Sequence, residues 1–126
     1  MIFPNEKYIV LETFRKNGNS VKTTVWFMEY NELILIVTRE NTGKVKRLRN
    51  NNRVNVAVSN YSGTTKSEWF SGTVQIIQGE LAQKAMFLRN KKYGFMAKMI
   101  GIFSAKKGKY VVYSIKFDSQ NRVKSN

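Results

Sequence analysis

The chain predicts a mainly β fold, a six-stranded antiparallel barrel, closed or partly open, that carries short helices. Three observations predict it. Strand-forming runs recur along most of the 126 residues and are parted by turn signals such as Lys16-Asn17-Gly18-Asn19 and Lys107-Gly108-Lys109. The apolar fraction, 42%, includes 8 Phe, 6 Tyr and 2 Trp, enough for a substantial core. Helical spacing is confined to a basic stretch within residues 38–53 and a longer stretch over 80–103.

Each element has its own justification. Residues 8–15 form a candidate first strand, and the Asn-Gly pair after it signals a tight hairpin. The return strand covers 21–29, with Val21, Thr23, Val25 and Phe27 on one face and Lys22, Thr24, Trp26 and Met28 on the other. A short turn at Tyr30-Asn31-Glu32 leads into 33–38, whose unbroken apolar run suggests a strand buried on both sides. After the basic helix, Val54, Val56 and Val58 alternate through Arg53–Ser59. A polar loop with Gly63 spans 61–66, and 68–78 is a further strand opened by Trp69 and Phe70. Leu81, Ala85 and Leu88 recur at helical spacing, as do Met96, Ile100 and Phe103, so 80–103 is two short helices parted near Tyr93-Gly94. A last strand, Tyr110–Phe117, precedes a polar tail expected to fray. With no repeat, low-complexity block or linker, the length suits one domain over 1–126.

Composition narrows the chemistry. Twenty-two Lys and Arg against eight Asp and Glu leave a net charge of +14, which favours anionic ligands: nucleic acid, a phosphorylated cofactor or an acidic membrane. With no cysteine there is no disulfide, thiolate metal site or cysteine nucleophile. With no histidine the commonest general base and metal ligand are also missing, so no metal site is expected and catalysis must rest mostly on a cofactor. The start, MIFPNEKY, lacks the basic end and long apolar run of a signal peptide, and no segment is apolar enough to span a bilayer. A soluble cytoplasmic protein with no membrane partner is expected.

The sharpest signal lies directly after the apolar strand, in TRENTGKVKRLRNNNR at 38–53. Thr42 can cap a helix whose first amides point outward, and Lys44 and Arg47, three apart, can both reach an anion bound there. Dipole, backbone donors and two cations then act together on a phosphate. From local sequence alone, Lys44, Lys46, Arg47 and Arg49 fit a solvated helix face equally well. Trp26 and Phe27 fit core or interface positions, and the eight basic residues from Lys84 to Lys109, with no acid among them, fit a solvated face.

Taken together, several segments resemble a known family. They are residues 8–15 with their Gly-containing turn, Thr23-Thr24-Val25-Trp26-Phe27, Thr42-Gly43-Lys44-Val45-Lys46-Arg47-Leu48-Arg49-Asn50, Arg53-Val54-Asn55-Val56-Ala57, Lys92-Tyr93-Gly94-Phe95 and the closing strand. In order and spacing they resemble the flavin- and deazaflavin-binding split barrels related to pyridoxamine 5'-phosphate oxidase, in particular the small branch using coenzyme F420. The resemblance covers nearly the whole chain. It implies a six-stranded split barrel and a homodimer with a phosphorylated flavin-type cofactor in the groove between subunits. By that resemblance Lys44 and Arg47 hold the phosphate, assisted by Thr42, Gly43 and nearby amides, while Thr24, Val25, Trp26 and Thr38 lie along the tricyclic ring. Thr24 stands where many relatives carry proline, and Asn51-Asn52 replaces their Asn-Pro. The cofactor is coenzyme F420 or the riboflavin phosphate FMN, and no catalytic side chain is assigned.

Three functions fit these readings. The first is an oxidoreductase passing hydride from the cofactor to a small conjugated acceptor, with the protein supplying position and charge stabilisation. The second is a carrier of the same fold that holds the cofactor without turnover. The third, ranked last for want of an aromatic-basic binding motif, is a single-stranded nucleic-acid binder.

Overall fold

The fold, seen in a computed structural model that describes residues 2–118, is one curled antiparallel sheet with three helices packed on it. The polar tail after Asp118 lies outside the described residues. Strands β1 (Tyr8–Phe14) and β2 (Ser20–Trp26) form the expected hairpin, with Phe14 opposite Ser20. At its tip Gly18 takes φ 90°, a left-handed conformation that a Cβ would penalise. Strands β3 (Met28–Tyr30) and β4 (Leu33–Arg39) form a second hairpin, turned by Asn31 and Glu32, both at positive φ. Helix α1 (Gly43–Asn50) follows, then β5 (Arg53–Ser59) and β6 (Phe70–Ile77). Helices α2 (Glu80–Tyr93) and α3 (Phe95–Ser104), a 3-10 turn at Ala105–Lys107 and β7 (Tyr110–Phe117) complete the order.

The strands number seven where the sequence predicts six. The run 21–29 is not one strand: it is cut at Phe27 into β2 and β3. The cut decides the architecture. In the sheet order β2-β1-β5-β6-β7-β4-β3, consecutive β2 and β3 lie at opposite edges. Phe27 alone carries the chain from one edge to the other, so the sheet must curl to bring those edges together, and β2 comes near β4 across the opening. A half-open barrel results. The strand expected over 68–78 is also shorter, because Trp69 stands outside the ladder.

The curled sheet has two apolar faces. Inside it, Ile9, Leu11, Phe27, Ile34, Ile36, Val54, Val56, Val58 and Ile115 form the main core, capped at one end by Val45 and Leu48 of α1. Outside it, Met28, Leu35 and Val112 pack against Ala85 of α2, with Leu81 and Leu88 alongside. Strand β4 therefore sends Ile34 and Ile36 inward and Leu33, Leu35 and Val37 under α2, as its unbroken apolar run predicts.

Leaving the ladder at Phe27 frees a backbone N–H and C=O in a fully buried residue. Helix α2 supplies their partners. The Tyr93 hydroxyl accepts from the Phe27 N–H at 3.0 Å, and Lys92 Nζ donates to the Phe27 carbonyl at 2.9 Å while lying 3.8 Å above the Phe27 ring. The carbonyls of Lys7 and Phe27, at 2.7 and 3.0 Å, are both within reach of the hydroxyl proton. Tyr93→Phe should thus cost about 1–3 kcal/mol in urea unfolding, since it leaves a buried donor unpaired. An unchanged midpoint would show that the seam does not need the hydroxyl. Burial pushes the Tyr93 hydroxyl from 10.0 to about 12. With the folded value raised, this contribution is complete below pH 10.0 and is lost as pH rises through about 12. In Tyr93→Phe, the part of the alkaline loss that belongs to this hydroxyl should be missing from unfolding midpoints measured across that window.

Candidate functional site

Helix α1 stands at the open end of the barrel directly after β4, and its burial pattern divides the basic run. Val45 and Leu48 point into the core, which turns Lys44 and Arg47 partly inward and leaves Lys46 and Arg49 in solvent. The solvated-face reading therefore fits only half of the charges. Arg47 folds back along the helix: its Nε donates to Thr13 Oγ1 at 2.6 Å, and its guanidinium lies against Gly43. A Cβ built on Gly43 would stand 2.7 Å from an Arg47 nitrogen, so glycine makes the room that brings this cation to the helix N-terminus.

Thr42 is the N-cap by position, but it does not cap the helix with its side chain, contrary to the sequence reading. Its hydroxyl donates to the Arg39 carbonyl at 2.9 Å and meets Thr38 Oγ1 at 3.4 Å. The reason is tertiary. Arg39 is held by α3, so its carbonyl is a fixed acceptor three residues back. The first-turn amides consequently have no side-chain acceptor among the described residues, and no acidic residue stands in that turn.

Electrostatics sharpen this picture. Burial, and then the nearby Arg47 charge, hold the Lys44 ammonium below the ordinary lysine value. Burial, and then Arg15, do the same to the Arg47 guanidinium. Neither cation has a carboxylate within salt-bridge distance among the described residues. Two partly desolvated, mutually repelling cations at the positive end of a helix dipole are arranged against themselves. An anion would relieve all three penalties.

Thr38, Thr42, Gly43, Lys44 and Arg47 thus come together. Thr24, Val25 and Trp26 join them by no hydrogen bond among the described residues. Val25 packs against the inner core. Thr24 lines an open groove of about 550 Å³ with Lys22, Trp69 and the 62–65 loop. Trp26 stacks face to face on Tyr93, 4.2 Å between centroids and 6° apart in plane, which anchors α2 to β2. These three residues share one structural property, because β2 is an edge strand with one side of its backbone unpaired.

Sequence reasoning missed two contributors. Thr13 is fully buried and accepts from Arg47; its signal was a hydroxyl continuing the inward alternation of Ile9 and Leu11. Arg89 is buried beside the rings of Trp26 and Tyr110, 5.4 and 5.2 Å from their centroids, with no hydrogen bond from its guanidinium among the described residues. No local signal in the sequence separates it from the surface lysines of α2.

A curled antiparallel sheet split at one seam is the architecture of the split barrels. Residues 2–123 match the family model for pyridoxamine 5'-phosphate oxidase, and the chain belongs to that family. No curated protein sequence matches it. Among solved structures it is similar to HutZ, the heme storage protein from Vibrio cholerae, at 12% identity and TM-score 0.72, over 91% of this chain and 84% of that one. It is also similar to an F420 reductase at 17% identity and TM-score 0.64, over 90% and 87%. A heme binding protein from Mycobacterium smegmatis matches at 11% identity and TM-score 0.67, over 90% of this chain and 47% of that one. At these identities the likeness is one of fold.

Gly43→Ala tests the arrangement of the site directly. The added methyl should push the Arg47 guanidinium from the helix N-terminus and weaken protection by inorganic phosphate against thermal unfolding. An unaltered phosphate-induced rise in midpoint would show that the site does not depend on that room.

Proposed function

We propose that this protein binds a phosphorylated flavin-type cofactor, coenzyme F420 or FMN, and is an oxidoreductase that reduces a small conjugated acceptor. One observation carries the reading: Lys44 and Arg47, both partly buried and free of acidic partners among the described residues, converge on a helix N-terminus whose side-chain cap is turned away. The donor set suits a phosphate monoester or diester. Amides of the first turn offer directed N–H groups, Arg47 a fork and Lys44 a point charge, while the Thr38 and Thr42 hydroxyls stand beside them.

The ring system is assigned to the exposed edge of β2, where backbone groups of Thr24, Val25 and Trp26 can hydrogen-bond a heterocycle edge without any acid or base side chain. When bound, the reduced cofactor supplies the hydride. The chain's own part is to fix the phosphate, hold the ring against β2 and stabilise developing negative charge with its cationic field. In this reading residues 1–126 form one cofactor-binding domain, and a homodimer closes the groove over the cofactor, in the cytoplasm. Membership of the pyridoxamine 5'-phosphate oxidase family and the fold shared with an F420 reductase support the cofactor class. Heme, named for two of the other similar structures, is not carried over: the chain has no His and no Cys, which leaves only Tyr and Met among the usual axial ligands, and none of these stands in the Lys44 and Arg47 cluster.

Titration of the purified protein with coenzyme F420 and with FMN, followed by cofactor fluorescence and by quenching of Trp26 and Trp69, tests the proposal. Saturable submicromolar binding of one of them is expected, and absence of binding by both overturns it. Replacing Lys44 and Arg47 together by Ala should weaken binding by several kcal/mol, as each charge-assisted hydrogen bond is worth roughly 1.5–3 kcal/mol. Equal affinity in the double variant would put the phosphate elsewhere. Tight binding with no acceptor reduced across a broad panel would mark the protein as a carrier.

A further inference from the structure

Helix α3 is built inside out. The sequence spacing of Met96, Ile100 and Phe103 suggests a core-facing stripe, yet all three are exposed, and the residues turned toward the protein are Ala97, Gly101 and Ser104. That inward face is small where the Tyr110 side chain reaches it: a Cβ on Gly101 would stand 3.0 Å from the Tyr110 hydroxyl. It is also polar, since Arg39 donates to Ser104 Oγ at 3.0 Å and to the Gly101 carbonyl at 2.8 Å while stacked 3.7 Å from the Tyr110 ring centroid. Helix α3 is thus fastened by one arginine rather than by burial of its large side chains.

Those side chains point to solvent. Phe95, Met96, Ile102 and Phe103 stand at i, i+1, i+7 and i+8, one face over two turns, and are 72%, 56%, 70% and 76% exposed. A patch of this kind on a chain of net charge +14 is not needed for folding or solubility. Along the chain on both sides of it every charge is positive, although the Glu40 carboxylate accepts from the Lys109 amide at 2.7 Å at the far end of that segment. Lys91, Lys98, Lys106, Lys107 and Lys109 are exposed before, on and after the helix, and there is no Asp or Glu between Glu80 and Asp118.

We propose that α3 is an interfacial anchor that seats this face in the surface of an anionic lipid bilayer. An apolar face rimmed by lysines matches the two requirements of such binding, apolar area for the acyl boundary and positive charge for the headgroups. The ten-residue helix, about 15 Å long, is too short to span and would lie in the plane of the surface. Charge complementarity separates this occupant from a second copy of the chain, because a two-fold contact through α3 would set one lysine rim against the same rim of its partner. The inference is independent of the cofactor reading.

The test is flotation with vesicles of phosphatidylcholine alone and with about 30% phosphatidylglycerol, in about 0.1 M and about 0.5 M salt. The protein is expected to float with the anionic vesicles only, retaining a measurable bound fraction at the higher salt. Phe95→Ser combined with Phe103→Ser should lower partitioning by about ten-fold or more without altering the circular dichroism spectrum. Because the chain has no cysteine, Ile102→Cys carrying an environment-sensitive dye gives a second readout on an otherwise intact helix, with a blue shift expected on anionic vesicles alone. Three results each overturn the proposal: no flotation with anionic lipid, flotation unchanged in the double variant and abolished by salt, or a wild-type dimer that the double variant converts to monomer.

Discussion

The fold depends on the seam at Phe27. Two strands consecutive in the chain are sent to opposite edges of one sheet, and a single residue must bridge them. That residue is fully buried, so its freed amide and carbonyl require partners that strands cannot provide. Lys92 and Tyr93, at the end of α2, provide both. Without them the seam would carry an unsatisfied buried donor and acceptor.

The same arrangement governs where chemistry can occur. Curling the sheet leaves one end open, and α1 closes it with Val45 and Leu48. Burial of those two residues rotates the helix so that Lys44 and Arg47 cannot both escape into water. Here the structure accepts a local cost, since two partly desolvated cations sit at the positive end of a dipole with no acid beside them. Conflict of this sort, concentrated at one place in an otherwise consistent fold, is the observation on which the proposed anion site rests. Arg39 links this end of the barrel to α3, because its carbonyl draws away the Thr42 hydroxyl while its guanidinium fastens the helix.

Particular elements explain how much could be seen in advance. The double-sided burial of β4 follows from an unbroken apolar run, and the Asn-Gly hairpin from turn chemistry, both local properties. The grouping of Thr42, Gly43, Lys44 and Arg47 was legible because they are close in sequence, so their convergence needs only a helix. The cut at Phe27 was not legible, since strand propensity runs smoothly through 21–29 and only the competition between two sheet edges breaks it. Thr42 failed as a side-chain cap for a similar reason: its preferred acceptor is fixed by Arg39, whose position is set 65 residues away at Ser104. The roles of Thr13 and Arg89 likewise arise from contacts distant in sequence.

By itself the sequence determined the class of fold, the turns and the basic helix, because alternation, turn residues and helical spacing are written within a few residues of one another. It also determined the chemistry that is impossible, since no fold can supply an imidazole or a thiolate that the chain lacks. Only the tertiary structure decided which lysines and arginines turn inward, which face of α3 meets solvent, and where the sheet breaks. Those outcomes depend on which surfaces compete for burial once the elements pack, and spacing along the chain does not encode that competition.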